Sequence, residues 1–201
     1  MSYNHKERIE HALPKIFNAI MTGQLNTILP GRVTAFDGKN KISVQPVIKR
    51  KFKGKDATPM PILEDVPIMY FGAGSYWVTT PPAIDSWVLL LVSQRSIDAW
   101  KNSSGDVIDA KSPRTFNISD AVAVMGLLPF DSGFDVGDGL TLKNLDSDAI
   151  IHLVDNNINI ATGDATIDIK DDIINIDNGS GSISIDGSGK IDLNGHLTVD
   201  A

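Results

Sequence analysis

Pairs of aliphatic residues separated by a single residue recur along the C-terminal third of the chain. They are Ile151/Leu153, Ile158/Ile160, Ile167/Ile169, Ile174/Ile176, Ile183/Ile185, Ile191/Leu193 and Leu197/Val199. Counted from the first member of each pair, the steps are 7, 9, 7, 9, 8 and 6 residues. Each interval holds Gly, Asn, Asp or Ser to turn the chain. Alternate side chains of a strand share a face, so both members of a pair point one way and the residue between them points to water. A step of about eight residues permits one short strand and one turn, whereas a single-chain β-helix spends roughly 20 or more residues per coil. Seven such steps close little more than two coils. The pattern therefore predicts three intertwined chains forming a triangular prism, with each step advancing a chain by one face. The 14 residues of the seven pairs are the candidate trimer core.

The remainder of the chain follows other periods. From Lys6 to Met21, residues Ile9, Leu13, Ile16, Phe17 and Ile20 fall on one stripe of a helix, predicting an amphipathic N-terminal helix. Pro14 kinks it or moves its start, because proline lacks the backbone donor, and Gly23 closes it. Two alternating runs flank Asp37-Gly38-Lys39-Asn40, a hairpin signature. Further strands are expected at Ile62 to Phe71, Ser75 to Thr80 and Ser86 to Ser93. Ser96 to Lys101 reads as a short helix with Ile97 and Trp100 on its inner face. About five strands and one helix in roughly 100 residues predict a small barrel; sandwich, SH3-like barrel and OB-fold remain open at this level. The expected organisation is a helical segment at 1–26, a barrel at 27–130, a linker at 131–140 and the prism at 141–201.

Composition sharpens the division. All three Trp, three Tyr, seven Phe and ten Pro precede residue 135, and residues 1–140 hold 15 Lys+Arg against 14 Asp+Glu, while residues 141–201 hold 3 against 11. The chain is electrostatically two objects. It has no cysteine, which removes disulfides, thiolate metal sites and cysteine nucleophiles. Met1 to Glu10 is polar where a signal peptide carries an apolar core. Gly187 to Lys190 reads "GSGK", but Ser184 and Ile191 stand where a phosphate-binding loop needs Gly and Ser or Thr, so a turn is expected. The aspartates from Asp164 to Asp192 lack the spacing of calcium loops. Asp171-Asp172, as strand neighbours on opposite faces, cannot pair as glycosidase carboxylates. His152 and His196 take outward positions, and His5 and His11 lie on or before the polar side of the first helix. The run Lys49, Arg50, Lys51, Phe52, Lys53 and Lys55 is the best case for single-stranded nucleic acid, since OB-folds combine basic grooves with stacking; a solvated loop, or a patch contacting acidic neighbours in an assembly, is the favoured reading.

Together the segments Leu29 to Asp37, Ile42 to Pro46, Val66 to Gly74, Ser86 to Lys101 and Asp120 to Pro129, followed by the repeat, resemble the central spike proteins of contractile-tail phage baseplates. The resemblance implies an all-β chain with an OB-fold and a C-terminal intertwined triple-stranded β-helix, a homotrimer. It also implies a location in the virion tail baseplate, with hub and tail-tube proteins as partners and the bacterial outer membrane as target. The expected role is a non-enzymatic puncturing spike; the alternative is a trimeric OB-fold module for single-stranded nucleic acid or glycan. Two departures from the family stand out. Asp85-Ser86 replaces a turn where relatives tend to carry Gly-Asp. His196-Leu197-Thr198 lacks the H-x-H motif that binds an apex iron in some relatives, so no cofactor is expected and a separate tip cap is an open partner.

Overall fold

The computed structural model describes residues 9–10, 12–17, 25–51, 54–134 and 136–195, in two compact units divided after Gly133. In the first segment, residues 9–10 and 12–17 are helical, and the stripe of Ile9, Leu13, Ile16 and Phe17 is exposed. Ile20, Met21 and Gly23 lie outside the described residues.

The first unit is built on a closed five-stranded barrel. Its strands are β1 (Ile28–Phe36), β2 (Lys41–Pro46), β3 (Leu63–Met69), β6 (Trp87–Val92) and β7 (Ala121–Met125), in the order β1-β2-β3-β7-β6. All neighbours are antiparallel except β3 and β7, which run parallel. Between β3 and β6 the chain forms a separate hairpin of β4 (Phe71–Ala73) and β5 (Tyr76–Val78). Alternation sends Val33, Ile42, Val44, Val88, Leu90, Ala121 and Ala123 inward, joined by Leu63 and Val66, to form the core. Closure requires small residues: a Cβ on Gly31 would collide with Val44 Cγ1 and lie 3.2 Å from Leu90 Cδ1.

Turn chemistry follows the sequence. Between β1 and β2, Gly38 takes a φ of 79°, and the Asp37 carboxylate accepts from the amides of Lys39 (2.8 Å) and Lys41 (3.2 Å). At the departure noted before β6, Asp85 itself adopts a φ of 70°, a region glycine occupies at no steric cost. Its amide donates to the Val33 carbonyl at 2.9 Å, and its carboxylate meets Arg32 at 3.0 Å. The short helix is present at Asp98–Lys101, but Trp100 is 48 % exposed, so the expected inner face is corrected. Four residues make barely one turn, and polar bonds rather than apolar packing hold this one down.

The second unit is one seven-stranded sheet in sequence order: β8 (Leu140–Lys143), β9 (Ile150–Val154), β10 (Asn157–Thr162), β11 (Ala165–Lys170), β12 (Ile173–Asp177), β13 (Ser182–Ile185) and β14 (Ile191–Asn194). Every neighbouring pair is antiparallel. The expected intertwined winding is therefore corrected to a meander, in which each internal strand finds its hydrogen-bonding neighbours on both sides within its own chain. Loops as short as Asp155-Asn156, Gly163-Asp164 and Asp171-Asp172 are the physical reason. With positive φ at Asp155, Gly163 and Asp171, each reverses the chain at once. The sheet also begins earlier than expected, since Leu140 and Leu142 repeat the pattern in a strand ahead of the first predicted pair.

Candidate functional site

Registers in the meander align the aliphatic pairs into two unbroken ladders. Leu142, Ile151, Ile160, Ile167, Ile176, Ile183 and Leu193 are successive cross-strand partners. Leu140, Leu153, Ile158, Ile169, Ile174, Ile185 and Ile191 form the second ladder beside them. The period of two places both on one face of the sheet. Twelve of the fourteen are exposed, at 37 % or more of their surface, and Ile169 and Ile185 are half-buried. An aliphatic face of this extent exceeds the scattered apolar residues of an ordinary surface. Beside the first ladder lies a concavity of about 810 Å³ whose lining includes Ile160, Ile167, Ile176, Ile183 and Leu193. Of the predicted core residues, the first six pairs are brought together here, and Leu197 and Val199 lie outside the described residues.

The opposite face carries a polar column between the ladders' strand positions: Thr141, His152, Asn159, Asp168, Asn175, Ser184 and Asp192, again successive partners. These side chains bond across the strands. Asn159 Nδ2 donates to Asp168 Oδ1 at 2.5 Å, and Ser184 Oγ to Asn175 Oδ1 at 2.6 Å. His152 Nε2 lies 2.7 Å from the Asp138 carbonyl, so it is tied to the bend that precedes β8. One face is thus self-satisfied and the other is not.

The remaining sequence candidates fall into turns. The amide of Lys190 (3.0 Å) and the amide and hydroxyl of Ser188 (2.9 and 2.6 Å) all donate to Asp186 Oδ1, so the Gly187 to Lys190 turn has spent the donors a phosphate would need. Those bonds, led by the Ser188 hydroxyl, hold the Asp186 carboxyl below the usual range. Asp171 and Asp172 form the loop between β11 and β12 rather than part of a strand, which corrects their expected placement. Among the described residues no group of three His, Asp or Glu side chains is arranged to hold a metal ion, and no helix is long and apolar enough to cross a membrane. In the basic run, Arg50 exchanges backbone bonds with Thr58 at 2.9 and 2.8 Å, while Phe52 and Lys53 lie outside the described residues. His5, His11 and His196 lie outside them as well.

A buried carboxylate paired with a half-buried arginine escaped the sequence reading. Asp120 is fully buried at the entry to β7, and its carboxylate accepts from Arg114 Nε (2.7 Å) and Nη2 (2.8 Å) and from the Ile97 amide (3.0 Å). Burial pushes this carboxyl up, but Arg114 and the Ile97 amide more than offset it and hold it below the ordinary carboxylate range. Arg114, which also meets Asp98, is raised in turn, chiefly by Asp120. The arrangement pins the short helix to β7. No local pattern marks it, because Asp120 lies 23 residues from Ile97.

The described residues form a closed barrel and a repeat-built sheet. The barrel has a counterpart among known families. Residues 29–126 match the phage protein Gp138 N-terminal domain. The Gp138 match begins inside β1 and ends just after β7, so it covers the barrel, its hairpin and its short helix. The match spans just under half of the chain and likens its barrel to a domain of a phage protein. No curated protein matches the chain.

Proposed function

We propose that this chain is a non-enzymatic central spike of a contractile phage tail, homotrimeric, with the barrel docked in a baseplate hub and the C-terminal sheet forming the shaft. The observation that carries the reading is the pair of continuous seven-residue aliphatic ladders on one exposed face. Water opposes that exposure at about 25 cal/mol per Å² of apolar area. Three copies resolve it if each contributes its whole meander as one side of a triangular prism, with the ladders toward the axis and the polar column outward. This differs from the interwoven chains expected from the repeat, yet it buries the same first six aliphatic pairs, with Leu140 and Leu142 added. Seven strands at about 4.8 Å spacing give a shaft of roughly 30 Å, comparable to the hydrocarbon thickness of a bilayer. Such a shaft is stiff because bending it requires breaking strand ladders and aliphatic packing together. Force would come from the contracting sheath, and the spike would transmit it to the outer membrane.

The double variant Ile174→Asp with Ile176→Asp tests this reading. Light scattering is expected to find wild type trimeric and the variant dissociated, while near-ultraviolet signals of the barrel aromatics persist. A variant as trimeric and as stable as wild type would overturn the reading.

A further inference from the structure

The β4–β5 hairpin is another part of the chain that presents apolar side chains outward. All six of its strand residues are exposed, with Tyr76 at 84 % and Trp77 at 57 %. Its flanks continue the character, since Met69 and Ile84 are exposed too. From Tyr70 to Ile84 there is not one charged residue among fifteen. A solvated loop of this length is ordinarily polar, and an isolated two-stranded hairpin is marginal in water.

The hairpin is nevertheless organised. Trp77 Nε1 donates to the Gly74 carbonyl at 2.9 Å, and the indole lies across the strand partner Gly72, where a Cβ would come within 2.7 Å of the ring. Gly72 is required for that close approach. Folding the indole back onto its own ribbon fixes its rotamer in advance, which lowers the ordering cost of binding. Phe71, Tyr76 and Val78 are then left as uncommitted apolar surface.

We propose that this hairpin is a self-association surface, docking onto the barrel unit of a second copy of the same chain. The inference rests on the trimeric reading above. Three observations select a second copy as occupant. The absence of charge leaves nothing to recognise an acidic or basic partner. The exposed side chains of the hairpin and its flanks amount to roughly 600 Å² per copy, taking aromatic side chains at about 150–250 Å² each, close to the approximately 800 Å² that each partner of a standard interface contributes. The barrel unit also carries exposed Ile28, Ile48 and Ile62, so every copy offers apolar positions as well as a hairpin. Once the aliphatic ladders hold three chains together, the tethered barrels meet at high effective concentration, and a modest contact suffices.

The test uses the full-length chain and Tyr76→Arg, which places a charge at a position that is 84 % exposed. Tyr76→Ser is the milder companion. Sedimentation is expected to find both variants still trimeric at high concentration but dissociating at a concentration at least about tenfold higher than wild type. Amide exchange over residues 71–78 is expected to be slow in assembled wild type and fast once it dissociates. If wild type assembles while both variants dissociate at the same concentration as wild type, the hairpin proposal fails and the ladder reading stands. If wild type is monomeric at every concentration, both fail. Binding of the hairpin to phosphatidylcholine–phosphatidylglycerol vesicles, with exchange over 71–78 slowed by lipid and not by assembly, would overturn the second copy in favour of a membrane surface.

Discussion

Two single positions govern the barrel for opposite reasons. Gly31 is small because Val44, Val88 and Leu90 converge on it. Gly31→Ala is expected to lower stability by about 1–3 kcal/mol, the usual cost of overpacking, as measured by thermal or urea unfolding. Asp120 is charged because Arg114 and the Ile97 amide are there to meet it. Asp120→Asn weakens two charge-assisted bonds and leaves Arg114 poorly matched, with an expected loss of about 2–3 kcal/mol. Linkage fixes the direction with pH. The folded-state carboxyl titrates below its unfolded value of about 3.9, so its contribution is fully present above that value. It is lost as pH falls through the lower, folded pKa. Acid unfolding of wild type should begin below about pH 4, and Asp120→Asn should flatten that limb. The composition of residues 97–120 gave no hint of this pair, since a buried carboxylate and an exposed one are the same letter.

Among the elements, the repeat was legible in kind and misleading in connectivity. Steps of 7 and 9 residues average to eight, which suits a chain that always advances the same way. Their alternation instead belongs to a meander, because a chain that reverses passes near and far sheet edges in turn. Ile151 to Ile158 spans the Asp155-Asn156 edge, and Ile158 to Ile167 spans the Gly163-Asp164 edge, which lies one residue pair farther from the ladders. Leu140-Thr141-Leu142 carried the same pattern ahead of the first pair. Loops matter where backbones close on each other. A Cβ on Gly181 would lie 2.9 Å from the Asn194 carbonyl, whereas Gly163, at a φ of 54°, has open space around it. Gly181→Ala is therefore expected to loosen β13 and β14 by about 1 kcal/mol, visible as faster amide exchange there. Gly163→Asn should be nearly silent, since asparagine tolerates the left-handed region.

For the molecule as a whole, charge and apolar surface pull against each other. Residues 141–201 carry eight more acids than bases, and a trimer would bring three such segments together. Self-repulsion of this kind is screened by salt, with a Debye length near 10 Å at 0.1 M. Assembly should therefore tighten as sodium chloride rises from low to physiological strength, read as a lower dissociation concentration in sedimentation. An assembly that weakened with salt would point to ion pairs, not aliphatic packing, as its cement. Sequence alone determined the strand content, the split into an aromatic, near-neutral unit and an acidic, aliphatic one, and the identity of the apolar face. These follow from side-chain period and composition, which are local quantities. Tertiary structure alone decided that successive rungs pair with one another, that Asp120 is buried against Arg114, and that the β4–β5 hairpin stands bare. Each of these depends on which distant backbone fills the space beside a residue, and no window along the chain encodes that.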